Sequence, residues 1–216
     1  MSKRSVEQLL NFEVIVKGTD VKRLSGEERR TQIVEGAYMV ILEKGLAATA
    51  TRDVTRQLGV GSGLLHHYFS TWGALRAEVV RTFISKEIAM LENDLAKIPA
   101  ERLISHFVDW MVSDPDYRFW GLWLDAIEEA RRDSDLAEII EKGYLQWHAA
   151  IVGVIKRSVD AGLGVCDNPQ NAAWRISALI DGLMGMLALG RTTLSPDVVK
   201  SLLQQQIAME LHRYGG

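Results

Sequence analysis

Only four prolines, Pro99, Pro115, Pro169 and Pro196, interrupt 216 residues, and between them apolar side chains return every three or four positions. That spacing lines them along one face of a helix of 3.6 residues per turn, whereas a half-buried strand needs strict alternation, which no long stretch shows. The expected fold class is therefore all-α. Glycine, proline and capping residues divide the pattern into nine helices, near 27–45, 51–58, 62–68, 71–95, 101–111, 116–131, 135–161, 168–189 and 195–214. In the second, Thr51 is expected to cap the free amides with its hydroxyl. Residues 1–25 read as an extension, with a possible short helix in SVEQLLNFEVIV and a linker after it.

Composition excludes several classes. With 47% hydrophobic and 25% charged residues the chain is an ordinary globular one. No run approaches the roughly 20 apolar residues of a membrane span, and the N-terminus lacks the apolar stretch of a secretion signal, so the expected location is cytoplasmic. The single Cys166 has no disulfide partner within the chain and reads as a buried structural thiol. No cofactor, metal or catalytic motif is expected.

The densest chemistry lies in residues 59–69, GVGSGLLHHYF. A dinucleotide loop needs a third glycine where Leu64 stands, and a strand before it where a helix is expected. A helical metal pair needs ligands three or four apart, whereas the adjacent His66 and His67 diverge by about 100 degrees. What survives is helix, tight turn, helix. Either residues 51–69 form a helix-turn-helix that enters the major groove, or they form a plain helical hairpin with solvated histidines. In the first case Val54, Leu58, Val60, Leu65 and Phe69 point inward, with Gly59 allowing the close bend. Ser62, Gly63, Leu64, His66, His67 and Tyr68 then face a partner, with hydroxyl and imidazole groups suited to phosphates and base edges.

The segment TATRDVTRQLGVGSGLLHHYFSTWGAL resembles the DNA-binding region of the TetR family of transcriptional repressors. Thr51, Val54, Gly59, Val60, Gly63, Leu65, His67 or Tyr68, Phe69 and Leu75 fill that family's pattern, with Val54 one place early. ALIDGLMGMLALGRTTLSPDVV is similar to the glycine-betaine, or BetI-type, branch. The resemblance implies a three-helix DNA-binding domain at 26–72 and a larger ligand-binding and dimerisation domain at 73–216. It further implies a double-stranded operator, a homodimer formed through about 168–213, and a small-molecule effector. Thr51, Arg52, Ser62, Gly63, Leu64, His66, His67, Tyr68 and Trp72 are the candidate DNA contacts. Three positions depart from the pattern: Gly61 replaces a serine, so that Ser62 is expected to cap the helix, His66 replaces a tyrosine, and Trp72 replaces a lysine.

Charge agrees in sign. Residues 1–72 carry a net +2 and the rest −5. Lys3, Arg4, Lys17, Lys22 and Arg23 form either a basic arm for phosphates and the minor groove or a solvated tail. Five of six tryptophans lie beyond residue 100. Trp110, Trp120, Trp123, Trp147 and Trp174, with Asp125, are the candidate effector contacts, because aromatic faces and carboxylates hold organic cations. The alternative is that these aromatics are plain core. The expected function is a dimeric, ligand-released DNA-binding repressor rather than an enzyme. The rivals are a helical protein-interaction adaptor and, behind it, a helical enzyme using Asp125, Glu128 and His148.

Overall fold

A computed structural model describes residues 25–114, 116–190 and 193–212. Among the described residues there are nine helices: α1 (Gly26–Lys44), α2 (Thr51–Leu58), α3 (Ser62–Tyr68), α4 (Trp72–Leu95), α5 (Ala100–Met111), α6 (Arg118–Ala130), α7 (Ser134–Asp160), α8 (Pro169–Ala188) and α9 (Pro196–Glu210). The expectations for the N-terminal extension and its basic residues lie outside the described residues.

Local chemistry accounts for the helix starts. Ser25 and Glu28 form a reciprocal capping box on α1, and Asn168 and Ser195 cap α8 and α9, each followed by proline at the first helical position. Two capping expectations are corrected. The N-cap of α2 is Ala50, with Thr51 already inside the helix, and the Asp53 carboxylate accepts the Ala50 N–H at 3.0 Å. The N-cap of α3 is Gly61, which makes no side-chain cap, and Ser62 again sits one place inside.

Two cores share the helices. The first joins α1–α3 and most of α4 to α6 and the first part of α7, around Ile33, Val54, Leu65, Leu75 and Trp123. The second joins the end of α4, α5, the rest of α7, α8 and α9, around Leu91, Phe107, Ile155, Met184 and Leu203. Trp120 and Trp147 pack against both clusters, so they mark the seam where the cores meet. The long helices α4 and α7 belong to both, which makes the described residues one continuous packing unit.

Candidate DNA-reading head and aromatic cavity

The reading head is built on three contacts. Val54 (0% exposed), Leu65 and Phe69 are buried, and Leu58 packs on the same cluster from a half-buried position. Arg30 on α1 lies over the Phe69 ring at 4.8 Å and pairs with Glu78 on α4, holding the end of α3 to both helices. Gly59 closes α2 in the left-handed region, φ 65°, yet a β-carbon there would meet nothing within 4 Å. Backbone conformation, rather than a close approach of the two helices, is what calls for glycine.

This packing sorts the candidate DNA contacts. Arg52, Ser62, Gly63, His66 and His67 are exposed, on or beside the outward face of α3. Leu64 and Tyr68 are half-buried and rest on the core, and Tyr68 also meets His67 edge-on at 5.0 Å. Thr51 is half-buried at the start of α2, and Trp72, half-buried at the start of α4, packs on the first core. Leu64, Tyr68 and Trp72 thus position the helix as well as border its surface.

Beneath the head, at the seam of the two cores, lies a cavity with about 70 Å³ of free space. Trp110, Trp120, Trp123 and Trp147 line it, as the tryptophan pattern leads one to expect. Trp110 and Trp147 lie 5.8 Å apart between ring centroids, and Trp123 meets Tyr144 edge-on at 5.1 Å. Two expected members are elsewhere. Asp125 turns away toward the α1–α2 turn, where its Oδ2 accepts the Leu46 N–H at 2.9 Å. Trp174 is 44% exposed and stacks on His148, with centroids 4.2 Å apart, because the outward face of α8 carries it away from the seam.

The acids of the cavity are Glu87 on α4 and Asp181 on α8, and neither was marked as a site residue from the sequence. Glu87 is 7% exposed; burial, then the neighbouring Asp114 carboxylate, push its pKa up to about 8. Burial raises Asp181 to about 6, against a hydrogen bond donated by the Tyr144 hydroxyl. Asp114 is occupied structurally: its two oxygens accept the Phe119 and Asp116 amides and start α6. Among the described residues no lysine, arginine or histidine lines the cavity. Both acids carry a sequence signal in retrospect. Glu87 stands midway between Phe83 and Leu91 on the apolar stripe of α4, and Asp181 is the lone charge in ISALIDGLMGMLAL.

The residues once considered for catalysis are engaged separately. Asp125 holds Leu46, Glu128 pairs at the surface with Arg131 and Arg132, and His148 bonds the Gln170 carbonyl oxygen at 2.9 Å. Cys166 is half-buried rather than buried, and partial burial raises its thiol pKa.

Comparison with known proteins fits this geometry. Residues 33–79 match the family of bacterial regulatory proteins of the tetR type, and residues 99–212 match the C-terminal domain of BetI-type transcriptional repressors. The chain is 25% identical over 190 residues to the HTH-type transcriptional regulator PksA of Bacillus subtilis, covering 86% of this chain and 91% of that one. It is 24% identical over 166 residues to the regulator BetI of Vibrio campbellii, covering 73% and 79%. A candidate transcriptional regulator from Saccharomonospora viridis, solved in complex with choline, superposes with a TM-score of 0.75 at 23% identity, covering 84% of this chain and 96% of that one. No described helix is long and apolar enough to cross a membrane. With more than half its length matched by the BetI-type model and its head by the tetR one, the chain belongs to the TetR family of ligand-responsive, DNA-binding transcriptional repressors.

Proposed function

We propose that this protein acts in the cytoplasm as a homodimer that occludes a near-palindromic operator and lets go when a small organic cation enters the aromatic cavity. The observation that carries the effector class is the lining itself: four tryptophans, the buried Glu87 and the half-buried Asp181, with no basic group among the described residues. Aromatic faces attract cations, and a buried carboxylate is stabilised by one. The choline bound to the S. viridis relative belongs to the same chemical class.

The DNA surface rests on α3, whose exposed Ser62, Gly63, His66 and His67 form the outward side of the helix-turn-helix. Two such helices reach successive major grooves only when about 34 Å apart, which requires a dimer. Support for the dimer face comes from α8 and α9, where Trp174, Met186, Leu189, Val198, Leu202 and Met209 are all exposed. Coupling follows from differential affinity: a ligand that prefers a conformation with the heads at the wrong spacing lowers operator affinity by the same factor.

A gel shift with the protein's own promoter region tests the assignment. His67→Ala and Tyr68→Ala should weaken the shift at least about tenfold, as loss of one or two groove contacts does, and choline, betaine aldehyde or a polyamine should release the wild-type complex. Undiminished binding by both variants would remove His67 and Tyr68 from the DNA contact, no shift by the wild type would point instead to a helical adaptor, and a monomer by light scattering at micromolar concentration would end the dimer scheme.

A further inference from the structure

Two acids in one cavity are more than one positive charge requires. Glu87 enters from α4 and Asp181 from α8, and both helices pack on α7, which supplies Tyr144 and Trp147 between them. Asp181 has the Tyr144 hydroxyl as a donor. Glu87 is buried to within 7% of full enclosure, lines the cavity, and receives no hydrogen bond from a described residue. A buried carboxyl without a donor or a counter-charge is unfavourable in either protonation state, because it forgoes hydrogen bonds as an acid and solvation as an anion. A ligand with one cationic end relieves one of the two sites and leaves the other as it was.

From this placement we infer that the cavity recognises a linear diammonium ion, one end held by Glu87, the other by Asp181, and the chain between them lying against the tryptophan rings. The inference rests on the organic-cation assignment above and narrows it from one charge to two. Trp110 and Trp147, packed on each other with centroids 5.8 Å apart, form one apolar wall along which such a stem can lie. Each carboxyl that ionises on binding gives its proton to solvent and gains an ammonium donor in exchange.

Isothermal titration of the full-length protein separates the possibilities with matched probes. 1-Aminobutane and 1,4-diaminobutane share a stem, 1-aminopentane and 1,5-diaminopentane share a longer one, and choline supplies a single quaternary charge. Each diamine should bind at least about tenfold more tightly than the monoamine of the same stem, which corresponds to about 1.4 kcal/mol. Glu87→Gln and Asp181→Asn should each shrink that preference to about twofold or less, with thermal melting confirming that both variants are folded. Monoamines or choline binding as tightly as the diamines would overturn the two-charge inference and leave the cation assignment intact. A diamine preference surviving in both variants would overturn the assignment of Glu87 and Asp181. Failure of every amine and of choline to bind would remove both this inference and the cation reading beneath it.

Discussion

The Asp125 carboxylate on α6 accepts the backbone N–H of Leu46 at 2.9 Å, five residues before α2 begins. The same helix carries Trp120 and Trp123 into the cavity, so one side chain ties a cavity wall to the turn that precedes the reading head. Gly45 sits against that oxygen: a β-carbon there would be 3.2 Å from Oδ2, and its φ of 89° disfavours any other residue. Removing the acceptor leaves the Leu46 amide without its partner. Asp125→Ala should therefore lose about 1–2 kcal/mol, the usual penalty for an orphaned buried donor. Native-state hydrogen exchange should show the Leu46 amide opening faster than in the wild type; an unchanged rate would mean the bond carries no weight.

Gly36 is where α1 and α2 touch most closely. A β-carbon there would lie 2.5 Å from Leu58 Cδ2 and 2.9 Å from Leu58 Cγ, too near for either atom to stay in place. In an open helix, glycine to alanine gains up to about 1 kcal/mol. At this position overpacking reverses the sign, and Gly36→Ala should destabilise by about 1–2 kcal/mol. The double variant Gly36→Ala, Leu58→Ala should recover part of that loss in denaturant unfolding, since the space the new methyl needs is then vacant. Strict additivity of the two single effects would show that Gly36 and Leu58 are not coupled.

The two cavity acids set a pH dependence whose sign is fixed. Glu87 and Asp181 have folded-state pKa values raised to about 8 and about 6, so the folded chain binds more protons than the unfolded one. Stability then falls as pH rises through the interval between unfolded and folded values, from about 4.5 to about 8 for Glu87 and from about 4 to about 6 for Asp181. Glu87→Gln cannot ionise and should escape its share of that decline. Melting of ligand-free protein should show the variant gaining on the wild type by roughly 3 °C or more between about pH 5 and about pH 8. A constant difference across that range would mean that Glu87 titrates normally, in contact with solvent.

How much of this was legible in sequence differs from element to element. The α7 segment was expected at 135–161 and runs Ser134–Asp160, because a long apolar stripe with Asp133 as its cap leaves little choice. The starts of α2 and α3 lie at Thr51 and Ser62 as the sequence suggests, but the caps sit one residue earlier. Thr51 and Ser62 carry the right hydroxyl, yet Asp53 reaching back to Ala50 supplies the cap of α2, and Gly61 opens α3 with no side-chain cap at all. Four of the five candidate tryptophans line one cavity, whereas Trp174 does not, since composition cannot say which face of a helix is left uncovered. Asp125 was grouped with Trp123 by nearness in sequence. Two residues further along a helix is about 200 degrees further around it, and the carboxylate consequently points to a different neighbour.

Period and punctuation determined the helices and a helix, tight turn, helix at residues 51–69, because both are properties of a chain acting on its near neighbours. The tertiary structure alone decided that Glu87 and Asp181, 94 positions apart, share one aromatic cavity. It also decided that Leu64, Tyr68 and Trp72 lean on the core while Ser62, His66 and His67 stand clear of it. Helix periodicity says that a face is buried; only the packing of α4, α6, α7 and α8 around a common seam says against what.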